Sequence, residues 1–247
     1  MTADQYSIYA EDYEKVKRIP WVRHLETFTF LDAMGDVRGK TILDIACGSG
    51  YYTRLLRRSG ASEVVGVDVS EAMIDAARRQ EAAEPLGVTY HVHDVSGMPR
   101  LGDFDLAVSA YLLNYAPSEV ALTAMCQRIL DNLAENGTFV YFGMNPSFSH
   151  EEYDPTKFNK YELLEITSTR PIADGLELTV SFLVEPITLV GYHLPMPTYE
   201  RALTRAGFTT VEWLPQKVSD EGIEEFGEEF WVDALNNPLC TAMRASR

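Results

Sequence analysis

Cysteine is scarce and scattered: Cys47, Cys126 and Cys240 are the three in 247 residues, and none belongs to a C-x-x-C pair. Such spacing supplies neither a disulfide framework nor a zinc site, and it fits a reducing cytoplasm. Basic residues are few as well, 21 Lys and Arg against 37 Asp and Glu, for a formal charge of −16. Nucleic-acid binding draws on Lys and Arg to displace counterions from phosphates, so DNA, RNA and anionic membrane surfaces are not expected partners. No apolar run approaches the roughly 20 residues that span a bilayer. The opening stretch MTADQYSIYAEDYEKVK has no apolar core of the kind a secretion signal needs. A soluble, unprocessed, cytoplasmic protein is the expectation.

What the chain does have is enough apolar material for a real core, 46% of its residues, and an alternation of strand-like and helix-like segments. Two short helices, 8–18 and 21–34, are divided by Pro20. Strand-like 40–45, helix 51–58, strand 63–68, helix 71–81, strand 88–93, strand 104–110, helix 118–133 and strand 137–142 then follow. Strands alternating with helices predict a mostly parallel α/β sheet covered on both faces. After Gly143 the pattern changes. Two runs, 161–169 and 176–190, flank Pro171 and the turn Ala173-Asp174-Gly175, and read as an antiparallel β insertion. A helix over 198–206 stops at Gly207, and 209–214 returns as a strand that closes the main sheet. The acidic stretch 220–229 reads as a solvated surface, with Phe226, Phe230 and Trp231 marking where the tail docks. One domain over 1–247 is expected, with a helical cover over 1–36 and an insertion over 143–197 roofing a substrate pocket.

Chemistry concentrates in Thr41-Ile-Leu-Asp-Ile-Ala-Cys-Gly-Ser-Gly50, an apolar strand that runs into two glycines and then a helix. Open α/β sheets bind ligands beyond the carboxyl ends of their strands, where strand order reverses. Asp68 ends the next strand twenty residues after Gly48, a spacing at which a carboxylate holds the two hydroxyls of a ribose. His93-Asp94 ends the third strand. The sixth position of a full G-x-G-x-x-G, counted from Gly48, is Thr53, which argues against a dinucleotide.

On these residues the chain resembles the class I S-adenosylmethionine-dependent methyltransferases, over about Tyr6 to Phe142. LDIACGSG looks like their cofactor loop, with Ala46, Gly48 and Gly50; Ala46 stands where many members have glycine. VVGVDVS resembles the second strand, which implies Asp68 as the ribose acid and Val69 and Met73 beside the adenine. HDVSGMP resembles the third segment, which implies Asp94 on the adenine amino group and Val95 stacked nearby. FDLAVSAYLLNYA resembles the fourth strand, which implies Ala110 beside the sulfonium. YSIYAEDYEK is similar to the N-terminal helix of small-molecule members, which implies Tyr13 over the methionyl part. The fold implied is a Rossmann-like sheet of seven strands, mostly parallel with an antiparallel last strand. At a finer level YSIYAEDY, GYYTRLLR, EPLGVTYHVHD, YLLNYA and MNPSF resemble toxoflavin-type N-methyltransferases.

The resemblance implies N- or O-methylation of a small organic acceptor, in secondary metabolism. Methyl transfer is an in-line displacement, so alignment and exclusion of water are the main tasks and a base is optional. Tyr9, Asn145 and His193 are the candidates to assist the reaction, and Tyr6, Tyr115, Phe142, Phe148, Phe182 and Tyr192 to contact the acceptor. Tyrosines at helical spacing also serve as packing residues, Asn145 before Pro146 as a turn former, and His193 as a structural residue. His93 and Asp94 point to opposite faces of their strand, so no metal is expected. Two alternatives stand beside transfer: an enzyme that cyclises or cleaves the cofactor and releases methylthioadenosine, as azetidine-2-carboxylate synthases do, and a binding protein without turnover. Oligomeric state is not legible.

Overall fold

The computed structural model describes residues 16–151, 153–184 and 187–247, so Tyr6, Tyr9 and Tyr13 lie outside the described residues. The helix after Pro20 begins as a π-helical stretch, Trp21–Glu26, and continues as α1 (Thr27–Met34). Proline at a helix start removes only an N–H that has no intrahelical partner there. The alternating body follows: β1 (Thr41–Ile45), α2 (Tyr51–Arg58), β2 (Glu63–Asp68), α3 (Glu71–Ala83), β3 (Thr89–Val92), β4 (Phe104–Ala110), α4 (Glu119–Asp131) and β5 (Leu133–Met144). Ser70 and Ser118 cap α3 and α4, each hydroxyl accepting a main-chain N–H of the first turn. After α5 (Pro155–Phe158) come β6 (Leu164–Ile172), β7 (Gly175–Phe182) and β8 (Thr188–His193). The chain ends with α6 (Met196–Ala206), β9 (Thr210–Leu214), α7 (Asp220–Phe226), α8 (Glu228–Asn236) and β10 (Cys240–Ser246).

Seven strands form the main sheet in the order β3-β2-β1-β4-β5-β10-β9, with β10 antiparallel to both its neighbours. The other strand pairs in this sheet are parallel. Strand order reverses between β1 and β4, which places the ligand crevice of an open α/β sheet beyond Ile45 and Ala110. The expected Rossmann-like sheet with an antiparallel last strand is present. A separate antiparallel sheet, β6-β7-β8, stands where the insertion was expected.

Several local expectations are corrected. The run 176–190 holds two strands, β7 and the start of β8, so the insertion is a three-stranded meander. Pro171 lies inside β6, paired with Leu176, and the turn is confined to Ala173-Asp174. Residue 161 belongs to a short 3-10 turn, Asn159–Tyr161, and the strand starts at Leu164. The acidic stretch is not only a solvated surface. It forms α7 and the start of α8, and Trp231 is fully buried with its indole N–H donated to the Gly222 carbonyl at 3.0 Å. Cys240–Ser246 was not expected as a strand because its small residues alternate weakly. It lies between β5 and β9, with every residue buried except the half-buried Arg244 and Ser246.

Candidate functional site

Two cavities meet at the carboxyl ends of β1, β2 and β4. The first is walled by Asp44, by the turn Ala46, Cys47, Gly48 and Ser49, by Asp68, Val69 and Met73, and by Ala110 with Tyr111. Tyr51, Tyr52, Lys17 and Tyr115 complete it. The turn is fixed by its neighbours. Gly48 donates its main-chain N–H to Oδ2 of Asp68 at 2.9 Å, and Cys47 donates to the Val67 carbonyl at 3.0 Å. Oδ1 of Asp68 accepts the Ser70 N–H at 2.8 Å. Burial raises the Asp68 carboxyl above its ordinary value, against the pull of these N–H donors.

Asp44 lies deeper, 2% exposed, and accepts the Thr53 hydroxyl at 2.6 Å. Burial pushes its carboxyl up to about 7. Sequence reasoning passed over this residue, although its place four residues before Gly48 at the end of an apolar strand was a usable signal. Two wall residues are held in the left-handed region without being glycine, Ala46 with φ 60° and Tyr111 with φ 60°. Such backbone strain clusters where a wall must present a group in one orientation. At Gly48, φ 55°, a Cβ would meet nothing within 4 Å among the described residues.

The second cavity holds about 790 Å³ of empty space, including its open mouth. Its walls are mainly apolar: Val16, Val22, Met144, Leu163, Leu239 and, from the small sheet, Leu164, Leu178, Val180, Phe182 and Leu189. Tyr192, Gly191, Asn114 and Cys240 also line it. Lys17, Tyr111 and Tyr115 line both cavities, so the two adjoin at these three side chains. Glu26 stands at the wall of the second, 1% exposed. Its Oε2 accepts the Tyr111 hydroxyl at 2.6 Å and its Oε1 the Tyr52 hydroxyl at 2.7 Å, with Lys17 Nζ 3.6 Å from Oε1. Burial raises both phenols well above their ordinary value, and the neighbouring carboxylate adds to this. Nothing in the sequence singled out Glu26 or Lys17, because the contacts that gather them span up to 85 positions.

Of the residues expected at the cofactor, Ala46, Gly48, Asp68, Val69, Met73 and Ala110 line the first cavity together. Gly50 caps the start of α2 with φ 91° and stands behind the turn. Asp94 is exposed and accepts both the N–H and the hydroxyl of Ser96 at 2.8 Å, while Val95 is buried in the core. Of the residues expected at the acceptor, Tyr115, Phe182 and Tyr192 line the second cavity. Phe142 is fully buried behind it, packed on Phe30 and Tyr111, and Phe148 is packed on His150 and Tyr153.

Asn145 and His193 line neither cavity. The Asn145 amide donates to the Pro238 carbonyl at 2.9 Å and accepts the Ser147 N–H at 3.0 Å. His193 Nε2 lies 3.0 Å from the Asn145 carbonyl, which only accepts, so this nitrogen carries the proton. Its Nδ1 then accepts from His150 Nε2 at 2.8 Å. Burial lowers both histidines, His150 to about 4. The rings of His91 and His93 stack 6.2 Å apart. Among the described residues no group of three His, Cys, Asp or Glu is placed to hold a metal ion, and no helix is long and apolar enough to cross a membrane.

Residues 42–137 match the family model described as the methyltransferase domain. The ubiquinone biosynthesis O-methyltransferase of Coxiella burnetii is 28% identical over 102 residues, which are 41% of this chain and 43% of that protein. The chain thus spans under half the length of that relative. Among solved structures, the S-adenosylmethionine-dependent methyltransferase from Mesorhizobium loti superposes with a TM-score of 0.63 at 22% identity, covering 94% of this chain and 100% of that one. A chain from a complex with the Haloferax volcanii Trm112 methyltransferase activator superposes with a TM-score of 0.66 at 18% identity, covering 100% and 97%. At such identities the superpositions speak for the fold.

Proposed function

We propose, from the premise that the chain carries a class I methyltransferase domain, that it transfers the methyl group of S-adenosylmethionine to a small organic acceptor. The observation that carries this reading is the pair of cavities meeting at Lys17, Tyr111 and Tyr115: one walled by the glycine turn and Asp68, the other mainly apolar. The open space at Gly48 and the carboxylates of Asp68 and Asp44 fit a ligand with a ribose at one end and an ammonium at the other. In this reading Asp68 accepts from the ribose hydroxyls, Asp44 faces the cationic end, and Ala110 and Tyr111 flank the reacting carbon.

The bound cofactor supplies an already activated methyl group, so the chain's own residues chiefly position and desolvate. The small sheet β6-β7-β8 closes the acceptor cavity with Leu178, Val180, Phe182 and Tyr192. We read 1–247 as one domain, with the segment before β1 as cover and 143–197 as roof. Asn145 and His193 serve it by fixing the loop after β5. Whether nitrogen or oxygen is methylated, and in which metabolism, follows from the acceptor.

A separate acceptor cavity favours transfer over cyclisation of the cofactor, and mass spectrometry decides between them. The protein is incubated with S-adenosylmethionine, first alone and then with a panel of small phenols and heterocyclic amines. S-adenosylhomocysteine formed only with an acceptor supports transfer. Methylthioadenosine formed without one, above the uncatalysed background, would replace it with cofactor cyclisation or cleavage, and no turnover with any acceptor would leave a binding protein.

A further inference from the structure

The wall that the two cavities share contains a hydrogen-bonded group whose chemistry selects the acceptor. Tyr111 follows β4 in a left-handed backbone conformation and donates its hydroxyl to Glu26, which Tyr52 and Lys17 also hold. Lys17 and Glu26 are 9% and 1% exposed and carry opposite charges, so the pair is itself neutral. Ten apolar side chains, from Val16 to Leu239, line the same cavity. Among the described lining residues Lys17 and Glu26 are the charged ones, so an anionic or cationic acceptor would lose its hydration there with no further described counter-charge to replace it. A phenol that donates to a carboxylate keeps its lone pairs, so Tyr111 Oη can accept a hydrogen bond from the cavity while its own proton points at Glu26.

Resting on the methyl-transfer reading, we propose that the acceptor is a neutral, largely apolar ring molecule that presents one N–H or O–H to Tyr111, and that Glu26 receives the proton through Tyr111. In the step, the bond from sulfur to methyl breaks and sulfur keeps its electron pair, while the nitrogen or oxygen of the acceptor forms the new bond to carbon. The acceptor's proton passes to Tyr111 Oη as the Tyr111 proton passes to Glu26 Oε2. Sulfonium plus carboxylate thus become thioether plus carboxylic acid, and the site's net charge is the same before and after. Tyr111 is the catalytic residue in this account. Glu26, acting through it, is a positioning residue and the proton's destination. Burial, which holds the Tyr111 phenol protonated, supports the arrangement.

The test is calorimetric titration of the protein saturated with S-adenosylhomocysteine, using 2-naphthol, 2-methoxynaphthalene and 2-naphthoate as probes. The expected result is that 2-naphthol binds about tenfold or more tightly than either of the others, the margin of a hydrogen bond to a charged network. In Tyr111→Phe, which keeps the ring and the backbone, and in Glu26→Gln, the preference for 2-naphthol over its methyl ether is expected to fall below about threefold. A merely structural role would weaken all three probes alike. Equal binding of 2-naphthoate, a preference that survives Tyr111→Phe, or no naphthalene binding to the saturated protein would overturn the proposal. Failure of S-adenosylhomocysteine itself to bind would overturn the methyl-transfer reading and this proposal with it.

Discussion

Gly48 and Asp68 are joined by a hydrogen bond of 2.9 Å from the glycine N–H to the carboxylate, which ties the turn after β1 to the end of β2. One carboxylate thereby shapes the turn and faces the cavity that the turn encloses. Removing it releases the Gly48 and Ser70 N–H groups and deletes the proposed ribose acceptor. Asp68→Ala is expected to weaken S-adenosylmethionine binding by about 10- to 100-fold, as loss of hydrogen bonds to a charged group does. Equilibrium dialysis of the folded variant checks this, and an unchanged affinity would move the cofactor site elsewhere.

Asp44 gives a pH dependence with a definite sign. Its carboxyl is raised from 3.8 to about 7 by burial, so it favours the folded state most when protonated. That contribution is fully present below the unfolded value near pH 4 and is lost as pH rises through 7. Asp44→Asn keeps an acceptor for Thr53 without the charge. The melting temperature of the ligand-free variant, relative to the unmodified protein, is expected to rise by several degrees between pH 4 and pH 8. A difference that is flat or falls with pH would count against a buried, raised Asp44.

Gly50 is required for two independent reasons. Its φ is 91°, and a Cβ there would run into the Tyr90 hydroxyl, itself buried without a hydrogen-bond partner among the described residues. Gly50→Ala should therefore destabilise by about 2–4 kcal/mol, combining left-handed strain with overpacking. Tyr90→Phe alone removes an unsatisfied polar group and should be neutral or stabilising. The double variant should recover part of the loss in urea denaturation. If the two changes simply add, the contact between these residues is not the cause.

His193, at the end of β8, holds the loop after β5 through the Asn145 carbonyl and the His150 ring. His193→Gln is expected to lower stability by about 1–2 kcal/mol, the loss of a half-buried hydrogen-bonded chain, while methyl transfer stays within about threefold of the unmodified rate. Denaturant unfolding and initial rates measure the two effects. A rate loss of a hundredfold with unchanged stability would make His193 a chemical participant.

The sequence made most of the sheet legible because β1, β2 and β4 are buried on both faces and so stand out as apolar runs between helices. Gly48 and Asp68 were legible for a related reason: the turn and strand end sit at fixed distances from those runs. Cys240–Ser246 was not, since Ala242 and Ala245 are small residues whose burial is decided by their pairing with β5, about 100 positions earlier, and with β9. The wall shared by the cavities was the least legible. Glu26 and Tyr111 are 85 positions apart, and only the fold of the chain before β1 across the end of β4 brings them together.

The cavity bounded by Ala46, Gly48, Asp68 and Ala110 is proposed as the cofactor site, and calorimetric titration of the unmodified protein with S-adenosylhomocysteine probes it without any variant. Saturable binding at one site per chain is expected, with a dissociation constant on the order of micromolar, about −8 kcal/mol. No heat of binding at millimolar ligand would contradict it.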